Sequence, residues 1–407
     1  MAGPTSGTTT KVRVVSYNVL SSHLCEPTYY VKTSKSDLAP ATRLERVQAA
    51  LEAQMGASSS TPTVIALQEV ARDWDGQLHV FFAQRKYRYA SALYGTRFNG
   101  YMGVALAWPE NLELARLESV RVADLIDFAP RKPAFNATAK DEAGATSSSA
   151  FGGLLGVVGT FFKGLLVDTL WRRRGRLAAD AAPPPPLDPW KEALRRQNVL
   201  VAAEFRGGAK ASSFVVATYH MPCLFGSIPK EQVMLVHAAL VAQRVDAFAG
   251  GVPYVLAGDF NFKPGDACYD LVATGDLGDR WLAANYALPP QPDDHATRFD
   301  LAATPALASA YKTKLGAEPD FTNLAFTKND LPDNGGSGDA FIGTLDYVFL
   351  GGARASKEGA PTTPWRVIDV KPLKPRDAVD VTTDSYPDAT EPSDHVLIAA
   401  DLELVPP

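Results

Sequence analysis

The chain has 407 residues, 46% of them hydrophobic and 21% charged, which is the make-up of an ordinary soluble globular protein with a large core. A formal net charge of −5 argues against a protein that grips nucleic acid chiefly through a basic face and counterion release. It leaves room for a small phosphorylated substrate, because a bound cation can supply local positive charge.

Cys25, Cys223 and Cys268 are few, odd in number and widely spaced. They form no zinc spacing and no disulfide framework, so a cytoplasmic or other reducing compartment is expected. Residues 1–10 are small and polar, without an apolar signal core. They are expected to be disordered and to carry no secretory signal, which leaves the sequon at Asn136 without meaning.

In chain order, four short apolar runs organise the sequence: Val12–Val15, Val64–Leu67, Phe214–Ala217 and Tyr254–Ala257. Near-continuous runs of this length read as strands buried on both faces. Each meets polar residues at its end: Ser16-Tyr17-Asn18, Gln68-Glu69, Thr218-Tyr219-His220 and Gly258-Asp259-Phe260-Asn261. Polar groups at strand ends can converge on one rim of a sheet. Leu44, Val47 and Leu51 predict a helix over Thr42–Gln54, and Val233, Val236, Leu240 and Val241 predict another over Lys230–Phe248. Strands separated by amphipathic helices suggest two sheets flanked by helices.

The stretch 126–195 stands apart. It runs from Ala/Ser/Thr-rich sequence through an apolar segment to Arg172-Arg173-Arg174-Gly175-Arg176 and Pro183–Pro186. It reads as an insertion within a single domain spanning 11–405. Leu154, Leu155, Val158, Phe161, Phe162, Leu165 and Leu166 share one helical stripe, but Lys163 and Asp168 argue against a membrane span. A helix packed on its own domain is the expectation. The sharper reading is weak contact of residues 151–176 with a membrane surface.

Hydrolysis of a phosphate ester needs a hard cation on oxygen ligands, a positioned and deprotonated water, and stabilised phosphoryl oxygens. The strand-end residues Asn18, Glu69, His220, Asp259 and Asn261, with Asp346, Asp394 and His395 nearer the C-terminus, meet these needs without a covalent nucleophile. Singly each has a plainer reading. Asp259-Phe260-Asn261 alone is an Asx-turn closing a strand, Glu69 a solvent-facing carboxylate, and His220 a packed histidine. Asp346 falls inside the apolar strand Thr344–Phe349, where a buried acid needs a partner; His395 is the natural one.

Together and in order, Ser16-Tyr17-Asn18-Val19-Leu20, Leu67-Gln68-Glu69-Val70, Thr218-Tyr219-His220, Gly258-Asp259-Phe260-Asn261, Leu345-Asp346-Tyr347 and Ser393-Asp394-His395 resemble the endonuclease/exonuclease/phosphatase superfamily. Finer features, such as Gly258–Tyr269 and Phe321-Thr322-Asn323, are most similar to its deadenylase–nocturnin branch. The resemblance implies an α+β fold, a four-layered αββα sandwich of two packed mixed β-sheets flanked by helices. It implies that Glu69, supported by Asn18, holds Mg²⁺ (Mn²⁺ being acceptable to the same oxygen ligands), with Asp394 near the metal or the leaving group. It implies Asp259 as activator of water with Asn261 beside it on the phosphate, His395 oriented by Asp346 as stabiliser of the pentacoordinate phosphate, and His220 on the phosphoryl oxygens. It places Asn198 and Asn323 in the substrate pocket. Met102 departs from the acidic residue that branch usually carries there.

Three functions are compatible with these residues. The leading expectation is a monomeric Mg²⁺-dependent phosphodiesterase on nucleotide or RNA 3′ ends. The alternatives are a phosphatase or phosphodiesterase on a small or lipid phosphoester, and an inactive scaffold, against which the intact residue set argues.

Overall fold

The computed structural model describes residues 10–55, 61–126, 187–206, 213–292, 299–352 and 363–405. The expectations for the residues before Thr10, for the sequon and for the apolar stripe and arginines of 151–176 lie outside the described residues.

The strands are β1 (Lys11–Asn18), β2 (Thr63–Val70), β3 (Tyr87–Leu93), β4 (Gly103–Pro109), β5 (Glu113–Arg121), β6 (Val199–Arg206), β7 (Phe214–His220), β8 (Tyr254–Asp259), β9 (Ala308–Ser309), β10 (Asn323–Ala325), β11 (Phe341–Gly343), β12 (Asp346–Gly351), β13 (Trp365–Val370) and β14 (Ile398–Leu404). The helices are α1 (Pro40–Met55), α2 (Arg72–Gln84), α3 (Pro189–Arg195), α4 (Ile228–Ala249), α5 (Ala267–Thr274), α6 (Asp279–Ala283) and α7 (Ala310–Leu315). Both predicted helices extend a residue or two beyond their predicted ends. Residues 188–195, the last of the predicted insertion, cap and form α3, with the Asp188 carboxylate accepting from the Trp190 and Lys191 amides.

Two six-stranded mixed sheets have the orders β13-β14-β1-β2-β4-β3 and β5-β6-β7-β8-β12-β9, and β10 pairs with β11 apart from them. Each sheet is built around one parallel pair, β1 with β2 and β7 with β8. A parallel pair needs a crossover, and α1 and α4 supply the two.

The period-2 alternation of a strand divides the apolar side chains between two cores. Val12, Val14, Val64, Ala66, Val104 and Leu106 meet Val201, Ala203, Phe214, Val216, Val255 and Val348 between the sheets. Val15, Tyr17, Ile65 and Leu67 face the other way, against Leu44, Val47 and Leu51 of α1 and Trp74, Leu78 and Phe82 of α2. On the second sheet α4 packs over β6, β7 and β8, with α3 and α5 against it. The result is a four-layered αββα sandwich. Among the described residues no helix is long and apolar enough to cross a membrane, and the three cysteines are free.

Candidate active site

Strand direction assembles the site. The parallel registers set Asn18 opposite Gln68 and His220 opposite Asp259, so the C-terminal ends of β1, β2, β7 and β8 share a rim. β12 runs antiparallel to β8 and starts there, with Asp346 opposite Asp259. Asp346 is thus the first residue of its strand, not an interior one as the apolar run had suggested. β14 is antiparallel to β1, with Ile398 opposite Ser16, which leaves His395 just short of the strand on the same rim.

Beneath the rim, Gln68 Nε2 donates to Ser16 Oγ (3.2 Å) and Thr218 Oγ1 (3.0 Å). This buried polar pin joins the two sheets, so part of the motif pattern read as chemistry serves to register one sheet on the other.

At the centre, Asn18 Nδ2 donates to Asp259 Oδ2 (2.8 Å) and to Glu69 Oε1 (3.2 Å). Asp259 Oδ1 accepts from the Asn261 amide (3.0 Å), and Asn261 Nδ2 donates to the Met221 carbonyl (2.9 Å). His220 Nε2 lies 3.5 Å from Asp259 Oδ2 and 3.9 Å from Glu69 Oε1; His395 Nε2 lies 3.6 Å from Asp259 Oδ2. Asn18, Asp259, Asn261, His220 and His395 are all buried.

Behind His395 stands Asp346, its Oδ2 2.8 Å from Nδ1. The same oxygen accepts from Thr322 Oγ1 (2.6 Å), whose hydroxyl in turn accepts from the Leu345 and Asp346 amides. Burial opposes charge on His395, but the carboxylates of Asp346 and Asp259 outweigh it and hold the imidazole pKa well above its usual value. Burial pushes Asp346 upward too, against the pull of His395. The two titrate as a unit. Two donors on one oxygen fit a carboxylate facing an imidazolium.

Two site residues sit in left-handed backbone, Glu69 with φ 58° and Asn261 with φ 51°. Asn tolerates this region, whereas Glu rarely adopts it. The β2–β4 register shifts between Leu67 and Val70, so Glu69 lies in an irregularity at the strand end. Its Oε2 accepts from the Ser21 amide (3.1 Å).

Asp394 is placed differently from the rest. Its Oδ2 accepts from Tyr30 (2.9 Å), and it belongs to neither of the groups of described residues that converge closely enough to hold an ion, Glu69–His220–Asp259 and Asp259–Asp346–His395. Asn323, in β10, bridges His395 through its backbone. Asn198 Nδ2 donates to the His220 carbonyl (2.8 Å) and lies 3.5 Å from the Tyr94 hydroxyl. Asn198 thus touches the shell behind His220.

Sequence reasoning missed Thr322, Tyr94 and Arg43. Arg43 is fully buried and donates to the carbonyls of Pro392 (2.6 Å), Val19 (2.6 Å) and Leu20 (2.7 Å). It thereby ties the turn after Asn18 to the segment before His395. Its place on the buried stripe of α1 one residue before Leu44 was the available signal, since a buried arginine requires acceptors.

The donor set fits a hard divalent cation. Glu69 and Asp259 face each other across Asn18, and among the described residues their ion pairs are with histidines. Converging carboxylates offer oxygen donors, which suit a hard cation.

Two curated relatives match part of the chain. Nocturnin of Drosophila melanogaster is 25% identical over 228 residues, 54% of this chain and 30% of that protein. Carbon catabolite repressor protein 4 homolog 4 of Arabidopsis thaliana is 27% identical over 220 residues, 52% of this chain and 43% of that protein. The chain thus spans under half the length of the curated relatives it matches. Among solved structures, ANGEL2, described as a 2′,3′-cyclic phosphatase, superposes with a TM-score of 0.59 at 16% identity, covering 97% of this chain and 96% of that one. The human nocturnin catalytic domain superposes with a TM-score of 0.51 at 15% identity, covering 97% and 95%. These structures share the fold of this chain. The model of the endonuclease/exonuclease/phosphatase family matches residues 15–395: the chain belongs to that family, whose members are divalent-metal-dependent hydrolases of phosphate esters.

Proposed function

We propose that this protein is a Mg²⁺-dependent phosphodiesterase acting on nucleotide or RNA 3′ ends by direct attack of water. One observation carries the reading. Asp259 Oδ2 stands within 3.5 and 3.6 Å of two histidine Nε2 atoms, so a base and two donors address one small volume.

In this reading Asp259, anchored through Oδ1 by the Asn261 amide, orients the attacking water and takes its proton. His395, an imidazolium backed by Asp346, donates to a phosphoryl oxygen, where charge accumulates. His220 donates to a second one. Glu69, with Asn18 holding its carboxylate in place, binds the cation. A divalent cation held there would supply positive charge to the phosphoryl group and the leaving oxygen. Asp394 serves the leaving-group side, held by Tyr30. Asn323, adjoining His395, lines the approach of the substrate.

One neighbour in fold supports the choice of nucleotide ends: ANGEL2, described as a 2′,3′-cyclic phosphatase and solved in complex with adenosine-2′,3′-vanadate. The net charge of −5 favours the second reading, a small phosphoester.

The test uses a 5′-labelled oligoadenylate, the same chain ending in a 2′,3′-cyclic phosphate, and a chromogenic phosphodiester, each with Mg²⁺. Cleavage at the RNA 3′ end is expected, with kcat lowered about 10²–10⁴-fold in Asp259→Asn and its melting curve retained. Intact RNA beside a cleaved chromogenic ester would move the substrate to a small phosphoester. No cleavage of any of the three would reject the proposal.

A further inference from the structure

The two rim histidines are backed by different chemistry. Behind His395 Nδ1 stands a carboxylate. Behind His220 Nδ1 stands a phenol: Tyr94 Oη lies 3.2 Å from it, and Asn198 Nδ2 lies 3.5 Å from the same oxygen. Tyr94 follows the last residue of β3, where its amide donates to the Met102 carbonyl (3.1 Å), so its ring is set by the β3–β4 pairing. Asn198 is fixed by its bond to the His220 carbonyl.

Among the described residues, the groups around Tyr94 leave one acceptor for its phenolic proton. The Asn198 amide nitrogen only donates, so it cannot receive the phenolic proton. Among the hydrogen bonds of the described residues, the acceptor for that proton is His220 Nδ1. Loss of hydration and the nearby carboxylates of Glu69 and Asp259 push the Tyr94 pKa upward, so the phenol keeps a proton to give. Were Nδ1 protonated instead, two donors would meet the phenolic oxygen and its own hydrogen would have no acceptor in this network. Nδ1 therefore accepts, and the ring hydrogen resides on Nε2, the atom that faces Asp259 and Glu69.

We propose that Tyr94, steadied by Asn198, is a positioning residue that fixes His220 as its Nε2–H tautomer, making it a hydrogen-bond donor to the phosphoryl group and excluding it from the metal ligands. The donor role rests on the phosphodiesterase reading above; the tautomer does not. A ligating imidazole nitrogen must present its lone pair, and here that nitrogen carries the hydrogen. Glu69 and Asp259 thus converge near His220 without enlisting it. A carboxylate behind His220 would draw the hydrogen to Nδ1 and leave Nε2 free for a metal. The phenol has the opposite effect.

The experiment is a long-range ¹H–¹⁵N correlation on the full chain carrying ¹⁵N-histidine, at neutral pH without metal or substrate. The His220 signals are assigned by their loss in His220→Gln. The expected result is an unprotonated Nδ1 and a protonated Nε2, with the Nδ1 resonance shifted in Tyr94→Phe by loss of the phenolic hydrogen bond. On the phosphodiester that the wild type cleaves, Tyr94→Phe should lower kcat roughly tenfold with KM unchanged. That loss should vanish when the change is made in the His220→Gln background. The rise in Tm on adding Mg²⁺ should persist in His220→Gln. A wild-type Nδ1–H signature, additive losses in the double variant, or a lost Mg²⁺ response in His220→Gln would overturn the proposal. A wild type that cleaves no phosphoester yet shows the Nε2–H signature would overturn the functional reading alone.

Discussion

Glu69 combines backbone strain with like charge. A left-handed glutamate costs on the order of 1–3 kcal/mol, and its φ of 58° is held by the irregular end of β2 and by the bond from the Ser21 amide. Its carboxylate also shares Asn18 Nδ2 with that of Asp259. Such a site trades stability for binding. Glu69→Gln removes one charge but turns an amide NH2 toward the Asn18 or Ser21 donor, so the metal-free protein should change little in stability while losing its response to Mg²⁺. In the wild type, a cation at a hundred times its Kd should add about 2.7 kcal/mol. Thermal melts with and without Mg²⁺ read both effects, and an undiminished Mg²⁺ response in the variant would remove Glu69 from the metal site. At this scale the sequence was legible wherever a residue ended an apolar run, as Asn18, Glu69, His220 and Asp259 do. Thr322 and Tyr94 sit in short connections with no such marker, and only the tertiary contacts of their hydroxyls single them out.

The twice-used β–α–β unit is the element that builds the rim. Its parallel strands deliver Asn18 and Glu69 from one sheet, His220 and Asp259 from the other. Close approach within a pair has a local requirement. A Cβ built on Gly258 would lie 2.0 Å from the Tyr219 carbonyl oxygen, so that position admits no side chain without parting β7 from β8. Gly258→Ala should cost about 3 kcal/mol in urea unfolding and reduce turnover, because Asp259 follows directly and moves with the strand. A variant as stable and as active as the wild type would show the strands to be more compliant than this geometry allows. The predicted helices were legible from the spacing of Leu44, Val47 and Leu51 in α1 and of Val233, Val236 and Val241 in α4. The start of β12 was not. The residues Thr344 and Leu345 read as strand, but Thr344 Oγ1 donates to the Pro319 carbonyl and the Leu345 amide to Thr322 Oγ1, side-chain bonds that compete with a ladder.

For the whole molecule, packing of α4 on the second sheet sets a pH dependence remote from the rim. His237 of α4 is fully buried, with Nδ1 2.8 Å from the Tyr219 hydroxyl and Nε2 3.1 Å from the Ala193 carbonyl of α3. Burial pushes its pKa down to about 4, below the 6.5 or so of an unfolded histidine. The folded state therefore prefers the neutral ring. Its contribution is fully present above about pH 6.5 and is lost as pH falls toward 4, amounting at the acid end to about 3 kcal/mol. Urea midpoints of the wild type should fall between pH 7 and 4.5 more than those of His237→Phe. Parallel decline in the two proteins would assign the acid loss to other groups.

Some properties of this protein followed from the sequence alone, because they depend on local pattern and order. Apolar runs ending in polar residues implied buried strands with a shared rim, helical spacing implied the crossovers, and six motifs in order implied the family and its sandwich. Other properties exist only once the chain has folded. The pairing of Asp346 with His395 was among the sequence expectations and is present, but the motifs do not say that Gln68 pins one sheet to the other, that Thr322 anchors Asp346 behind His395, or that Asp394 is taken up by Tyr30. Each of these contacts joins residues far apart in the chain. Sequence pattern records which face a residue shows, whereas the partner it meets there is decided by strand order, register and the direction in which each strand runs.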